Sequence, residues 1–229
     1  EIFAYDWRES VTAAAQRMAA RLETLLADAE RTAQPVHLVA HSMGGLVSRA
    51  MIADGGAGAS VWRRITALPG SRLLMLGTPN RGSHEAVRWL TGSNPTEAKL
   101  TLLDLTHDVN GIIDIVRRFP GMVELLPFED PARYADPALW KQLRADLGAG
   151  WPTVDEANLR AASATWALLG GAAPDPKTMV YVAGCQRATV TDYRLVDDDS
   201  RSPRKRIEFI ATAEGDGTVT WASGRLAGV

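Results

Sequence analysis

Two residues carry the strongest chemical signal, and both stand in glycine-rich turns. Ser42 lies in Ala40-His41-Ser42-Met43-Gly44-Gly45, and Asp216 lies in Gly215-Asp216-Gly217-Thr218-Val219. The apolar run Val36 to Ala40 reads as a strand buried on both faces, while Leu46, Val47, Ala50 and Met51 recur at helical spacing. The serine therefore sits on a sharp strand-to-helix turn. Such a turn holds a nucleophile in a strained backbone conformation with its hydroxyl above the sheet. Positions two before and two after the serine must be small, and they are Ala40 and Gly44, so G-x-S-x-G becomes A-x-S-x-G. The Met43 N–H and the first turn of the following helix point at the place where an oxyanion would form. Asp216, between two glycines, can turn a carboxylate inward or hydrogen-bond its own backbone; the residues leave both open.

The elements that position these residues alternate between strand and helix. Ile2 to Tyr5 reads as a strand, and Val11, Ala15, Met18, Leu22, Leu25, Leu26 and Ala29 form one face of a long helix with Ser10 as N-cap. Gly55 and Gly56 stop the helix after Ser42, and Leu73 to Gly77 and Met179 to Gly184 are further core strands. The pattern predicts a mainly parallel sheet with helices on both faces. Thr189 to Val196 and Arg206 to Ala211 read as a hairpin. Its tip, Asp197 to Lys205, has no calcium-loop spacing and reads as a solvated turn, not a metal site.

Between Arg81 and Lys177 roughly a hundred residues lack a comparable strand, which exceeds an ordinary connection and predicts a helical cap or lid. It carries Leu100, Leu102, Leu103 and Leu105, then Ile112, Ile113, Ile115, Val116, Phe119, Met122, Val123, Leu125 and Leu126, with Trp89, Trp140, Trp151 and Trp166. These side chains could wall an acyl chain, touch a membrane surface or bury one another within the cap.

Composition narrows the class. At 229 residues and 46% hydrophobic content the chain can bury one sizeable core, and 25 basic against 27 acidic residues leave no footprint for nucleic acid. Cys185 is the only cysteine, so no internal disulfide is possible. No apolar run is long enough to span a bilayer.

Four stretches, in order, point to one family: Tyr5-Asp6-Trp7-Arg8, Ala40 to Gly45, Leu76-Gly77-Thr78-Pro79-Asn80-Arg81-Gly82-Ser83, and Gly215 to Val219. Together they resemble the lecithin:cholesterol acyltransferase-like branch of the α/β-hydrolase fold, which includes bacterial lipases and phospholipases. The insertion is matched loosely, around Pro120 to Pro127. The resemblance implies a serine esterase mechanism: Ser42 as nucleophile, Met43 as oxyanion donor, Asp216 as the acid of the triad, then a histidine. It calls for no metal and no cofactor, and for a lipid or other acyl-ester substrate.

No histidine follows Asp216; the four present are His37, His41, His84 and His107. The missing base, a second oxyanion donor expected before Glu1, and the uncapped ends together read as a single α/β-hydrolase domain incomplete at both ends. Asp6 and Trp7, at the C-terminal edge of their strand, could line the site; alternatively Asp6 pairs with Arg8 and Trp7 packs in the core. Three functions remain open at this stage. They are ester hydrolysis through an acyl-serine, O-acyl transfer to an alcohol, and a catalytically inactive module that binds lipid or protein through the cap.

Overall fold

A computed structural model of the chain describes residues 1–96, 99, 106–198 and 204–229. Leu100, Leu102, Leu103 and Leu105 of the insertion, and the hairpin tip from Asp199 to Pro203, lie outside the described residues. The helix α1 (Val11–Thr32) begins where Ser10 accepts a hydrogen bond from the Ala13 amide at 3.1 Å. It ends at Ala33, in the left-handed region at φ 51°. β1 (His37–His41) then leads into α2 (Met43–Ala53), α3 (Ala57–Ala67) and β2 (Arg72–Leu76).

The insertion contributes α4 (His84–Leu90), α5 (Val109–Val116), α6 (Pro120–Glu124), α7 (Pro131–Ala135), α8 (Pro137–Asp146) and α9 (Glu156–Gly171), with no strand among its described residues. β3 (Met179–Val182), the hairpin β4 (Thr189–Asp197) and β5 (Lys205–Thr212), and α10 (Trp221–Gly224) complete the chain. The sheet has the order β1-β2-β3, all parallel, with Leu38 opposite Leu73 and Leu73 opposite Met179. Among the described residues β4 and β5 pair with each other, antiparallel, as a separate two-stranded sheet.

Register decides where the core sits. Leu38, Ala40, Leu73, Met75 and Met179 share one face and are buried against α2, whose Leu46, Val47, Ala50 and Met51 are also buried. α1 and α3 pack behind α2, and α9 packs on it as well. Each fully buried Leu or Met contributes roughly 1.5–3 kcal/mol relative to exposure.

Three expectations are corrected here. Ile2 to Tyr5 is not a strand: it pairs with no neighbour, although the rings of Phe3 and Tyr5 stack at 6.1 Å. β1 is not buried on both faces either, since burial alternates along it and Val39 is 66% exposed. Among the described residues, helices do not cover both faces of the sheet. The row holding Val39 and Val182 stands open because the insertion's helices gather on the α2 side, α9 against α2 and α6 against α1.

Three of the insertion's tryptophans, Trp140, Trp151 and Trp166, are buried, so its aromatic content is largely internal packing. Arg49 of α2 is buried and donates to the Asn80 and Leu169 carbonyls, the latter at 2.6 Å near the C-terminal end of α9. Desolvation, with the Arg81 charge nearby, pulls its pKa down to about 10, still far above neutrality.

Candidate active site

Ser42 occupies the turn between β1 and α2 with φ 51° and ψ −127°, a conformation that a non-glycine residue holds at a cost of about 1–3 kcal/mol. Its amide donates to the Leu76 carbonyl at 2.9 Å, extending the β1–β2 ladder by one bond, and its own carbonyl accepts from the Gly45 amide at 3.0 Å. The strain is thus held from both sides. The neighbouring small residues do what the turn requires: a Cβ on Gly44 would lie 3.8 Å from that of Ala40, an ordinary contact, so the methyl at Ala40 fits. Gly45 has no such room, because a Cβ there would fall 2.1 Å from the Thr78 hydroxyl oxygen. Met43 is the first residue of α2, where backbone N–H groups have no partner within the helix.

Asp216 reaches the same edge of the sheet from the other end of the chain. One carboxylate oxygen, Oδ1, accepts from the amides of Thr218 at 2.9 Å and Val219 at 2.7 Å, so the side chain is locked by its own loop. The other oxygen, Oδ2, is directed at the end of β2, where a Cβ on Gly77 would lie 2.9 Å away. Gly77 has φ 55°, and a Cβ on Gly184, just beyond β3, would lie 2.8 Å from the Asp216 Cβ. Glycines therefore end or follow the two strands beneath the carboxylate. The loop is held by Gln186, whose amide donates to the Gly215 carbonyl at 2.7 Å, and by Trp221, whose indole N–H donates to the Gly184 carbonyl at 2.9 Å. Tyr181, raised to about 12 by burial and by the Asp216 charge, stays a neutral phenol.

The remaining sequence candidates fall differently. Asp6 is engaged by Arg8 through contacts of 2.6 to 3.1 Å, and those hydrogen bonds hold its pKa down to about 2. Trp7 is not in the core; it is 46% exposed and meets Phe119 edge-on, with ring centroids 5.6 Å apart. Among the described residues no imidazole is hydrogen-bonded to Ser42. His37 contacts the Gly70 carbonyl, His41 is exposed, His107 contacts Thr106, and His84 packs against Tyr134 near Asp192. The described residues also contain no cluster of His, Cys, Asp and Glu able to hold a metal ion, and no helix long and apolar enough to cross a membrane.

Sequence reasoning did not single out Gly77 and Gly184 as the floor under Asp216, nor the contact of the insertion with Met43, the residue after Ser42. A Cβ on Gly121 would lie 2.1 Å from the Trp7 carbonyl oxygen and 2.8 Å from the Met43 Cε. Glycine at a strand end was the available signal for the first; nothing local announces the second.

A parallel sheet with a strand, strained serine and helix in immediate succession defines a partial α/β-hydrolase fold. The fold has a solved counterpart: a chain from the crystal structure of the Tle4-Tli4 complex superimposes with a TM-score of 0.62 at 15% sequence identity. That match covers 95% of the present chain and 57% of the other, so the present chain spans little more than half of that relative's length. No curated protein sequence matches it. The chain belongs to the lecithin:cholesterol acyltransferase family, whose profile matches residues 2–167.

Proposed function

We propose that this chain carries the nucleophile and acid of a serine acyl-ester hydrolase acting on lipid esters. In this reading the Ser42 hydroxyl attacks the ester carbonyl as its proton passes to an imidazole base, and the Met43 amide donates to the oxyanion; the ester bond breaks, the alcohol leaves with that proton, and water then hydrolyses acyl-Ser42 to the free acid and restores the serine. Asp216 orients an imidazole and stabilises its charged form; it does not itself take the serine proton. The observation that carries the proposal is the φ of 51° at Ser42, a strain otherwise unexplained at a solvent-accessible strand end. The Asp216 carboxylate adds support, with one oxygen held by its loop and the other turned toward the end of β2. Family membership supports acyl-ester chemistry on lipids and leaves water and alcohol both open as acceptors. Transfer to an alcohol shares the acylation step and differs only in what enters the acyl-enzyme.

The test is ester hydrolysis by the full natural protein and its Ser42→Ala variant. Removing a triad nucleophile lowers kcat by on the order of a millionfold. Turnover by the alanine variant at the native rate would rule out the mechanism. Analysing products with and without a glycerol or sterol acceptor separates hydrolysis from transfer.

A further inference from the structure

The stretch from Asn80 to Ser83, between β2 and α4, takes no part in the proposed chemistry, but the topology asks something of it. Ser42 is registered by the sheet, because its amide extends the β1–β2 ladder. Asp216 has no such registration. Among the described residues its loop joins no strand of that sheet and forms only an isolated bridge between Gly215 and Thr220. A loop outside a ladder keeps a fixed place only through separate contacts. On one side these come from Gly184, Gln186 and Thr189, which follow β3.

On the other side they come from Asn80 to Ser83. Asn80 is fully buried, and its side-chain amide works in two directions. Oδ1 accepts from the Arg49 guanidinium at 3.1 Å, about two turns along α2 from Ser42. Nδ2 donates to the Gly224 carbonyl at 2.7 Å, at the end of α10. The orientation follows from the partners, since a guanidinium only donates and a carbonyl only accepts. The neighbours repeat the connection. The Arg81 guanidinium donates to the Ala222 carbonyl at 2.8 Å, the Ser223 hydroxyl to the Gly82 carbonyl, and the Ser83 hydroxyl to the Thr218 carbonyl at 2.5 Å. Thr218 is in turn one of the two residues whose amides hold Asp216 Oδ1. Hydrogen bonds therefore run from the helix of the nucleophile to the loop of the acid.

We infer that Asn80 is a positioning residue that couples α2 to the Asp216 loop, the residues through Ser83 completing a brace that holds the acid in place relative to Ser42. The inference rests on Ser42 and Asp216 as nucleophile and acid. A misplacement of about 1 Å in a catalytic group costs on the order of a hundredfold in rate, so a loop that the sheet does not register needs such a brace. Asparagine is the short side chain that accepts on one side and donates on the other; an ionised aspartate of the same size cannot donate, and leucine can do neither.

Asn80→Asp, made in the full natural protein, separates the brace from general stability. The carboxylate still accepts from Arg49, now with an opposite charge, but leaves the Gly224 carbonyl without its donor. The expected result is a fall in kcat of about tenfold to a hundredfold with little change in KM, at a melting temperature near the native one. The acid limb of kcat/KM should also move to lower pH, because a displaced carboxylate no longer strengthens the hold of the imidazole on its proton. Loss of folded protein alone would lower the rate equally at every pH and leave that limb in place. Ser223→Ala removes a second strut without touching Asn80 and should act in the same direction by less; it decides the question if Asn80→Asp fails to fold. Hydrogen exchange reads the brace without turnover: in both variants residues 214–224 should exchange faster while β1 and β2 keep their native rates. Native kcat in both variants, a lowered rate with an unmoved acid limb, or native exchange over 214–224 would overturn the brace. Ser42→Ala judges the catalytic reading separately, and if that reading fails the exchange measurement alone decides the brace.

Discussion

At Ser42 the backbone turns sharply, a positive φ of 51° carrying the chain from β1 into α2 at the very next residue. The same logic governs Gly77. Its φ of 55° and the 2.9 Å between a hypothetical Cβ and the Asp216 carboxylate leave no place for a side chain. Gly77→Ala is expected to cost about 1–3 kcal/mol through left-handed strain and crowding, and to displace the carboxylate. Urea denaturation measures the first effect. Hydrolysis by the full natural protein measures the second, and a variant with native stability and native activity would show that the close approach has no role.

Between elements, the fold is tied together by buried polar groups as well as by apolar packing. Glu124 links the insertion to the start of α1 and to α9, and burial raises its pKa above the usual carboxylate value although both hydrogen bonds favour the ionised form. Glu124→Ala leaves the Val11 amide and the Thr165 hydroxyl without their acceptor in the interior. A loss of about 1–3 kcal/mol is expected. Glu124→Gln keeps an oxygen for the amide and should lose less, so a ranking of native, Gln and Ala in denaturant midpoints checks the assignment. Equal midpoints for all three would mean that the clamp contributes nothing to stability.

For the molecule as a whole, acid sensitivity should trace to one histidine that joins the insertion to the hairpin. Burial pushes His84 down to about 4 from its ordinary value near 6.5; the Asp192 carboxylate, 3.9 Å away, opposes this weakly because Arg133 also claims it at 3.1 Å. The unfolded chain takes up this proton at the higher pH, so it binds more protons than the folded chain between about 6.5 and 4. Stability from this group is therefore full above that window, falls as pH drops through it and is lost below about 4. The loss is on the order of 3 kcal/mol at most. His84→Phe should melt at a less pH-dependent temperature across this range, and identical slopes for the two proteins would refute the assignment. Hydrolysis should show a second whole-molecule effect: residues 1–229 alone are expected to turn over esters slowly, since no described imidazole is bonded to Ser42 to take its proton. Rapid turnover by this chain would show that a base is recruited from within it.

Local order was legible in the sequence wherever it depends on neighbours along the chain. Ser10 as a cap and the turn at Ser42 follow from contacts within a few residues, and the strands around Leu38, Leu73 and Met179 and the hairpin show in residue type and spacing, although their pairing is long-range. Family membership was legible too, through four short stretches read together. Tertiary structure alone decided which face of β1 is covered. Leu38, Val39 and Ala40 are all apolar, and only the position of α2 separates buried Leu38 from exposed Val39. It also decided the fate of Ile2 to Tyr5, since a strand exists only when another strand completes its hydrogen bonds. The meeting of Phe119 and Gly121 with Trp7 and Met43 was likewise invisible beforehand. It joins residues far apart in sequence, and such contacts are chosen by how whole elements pack, not by anything written near either partner.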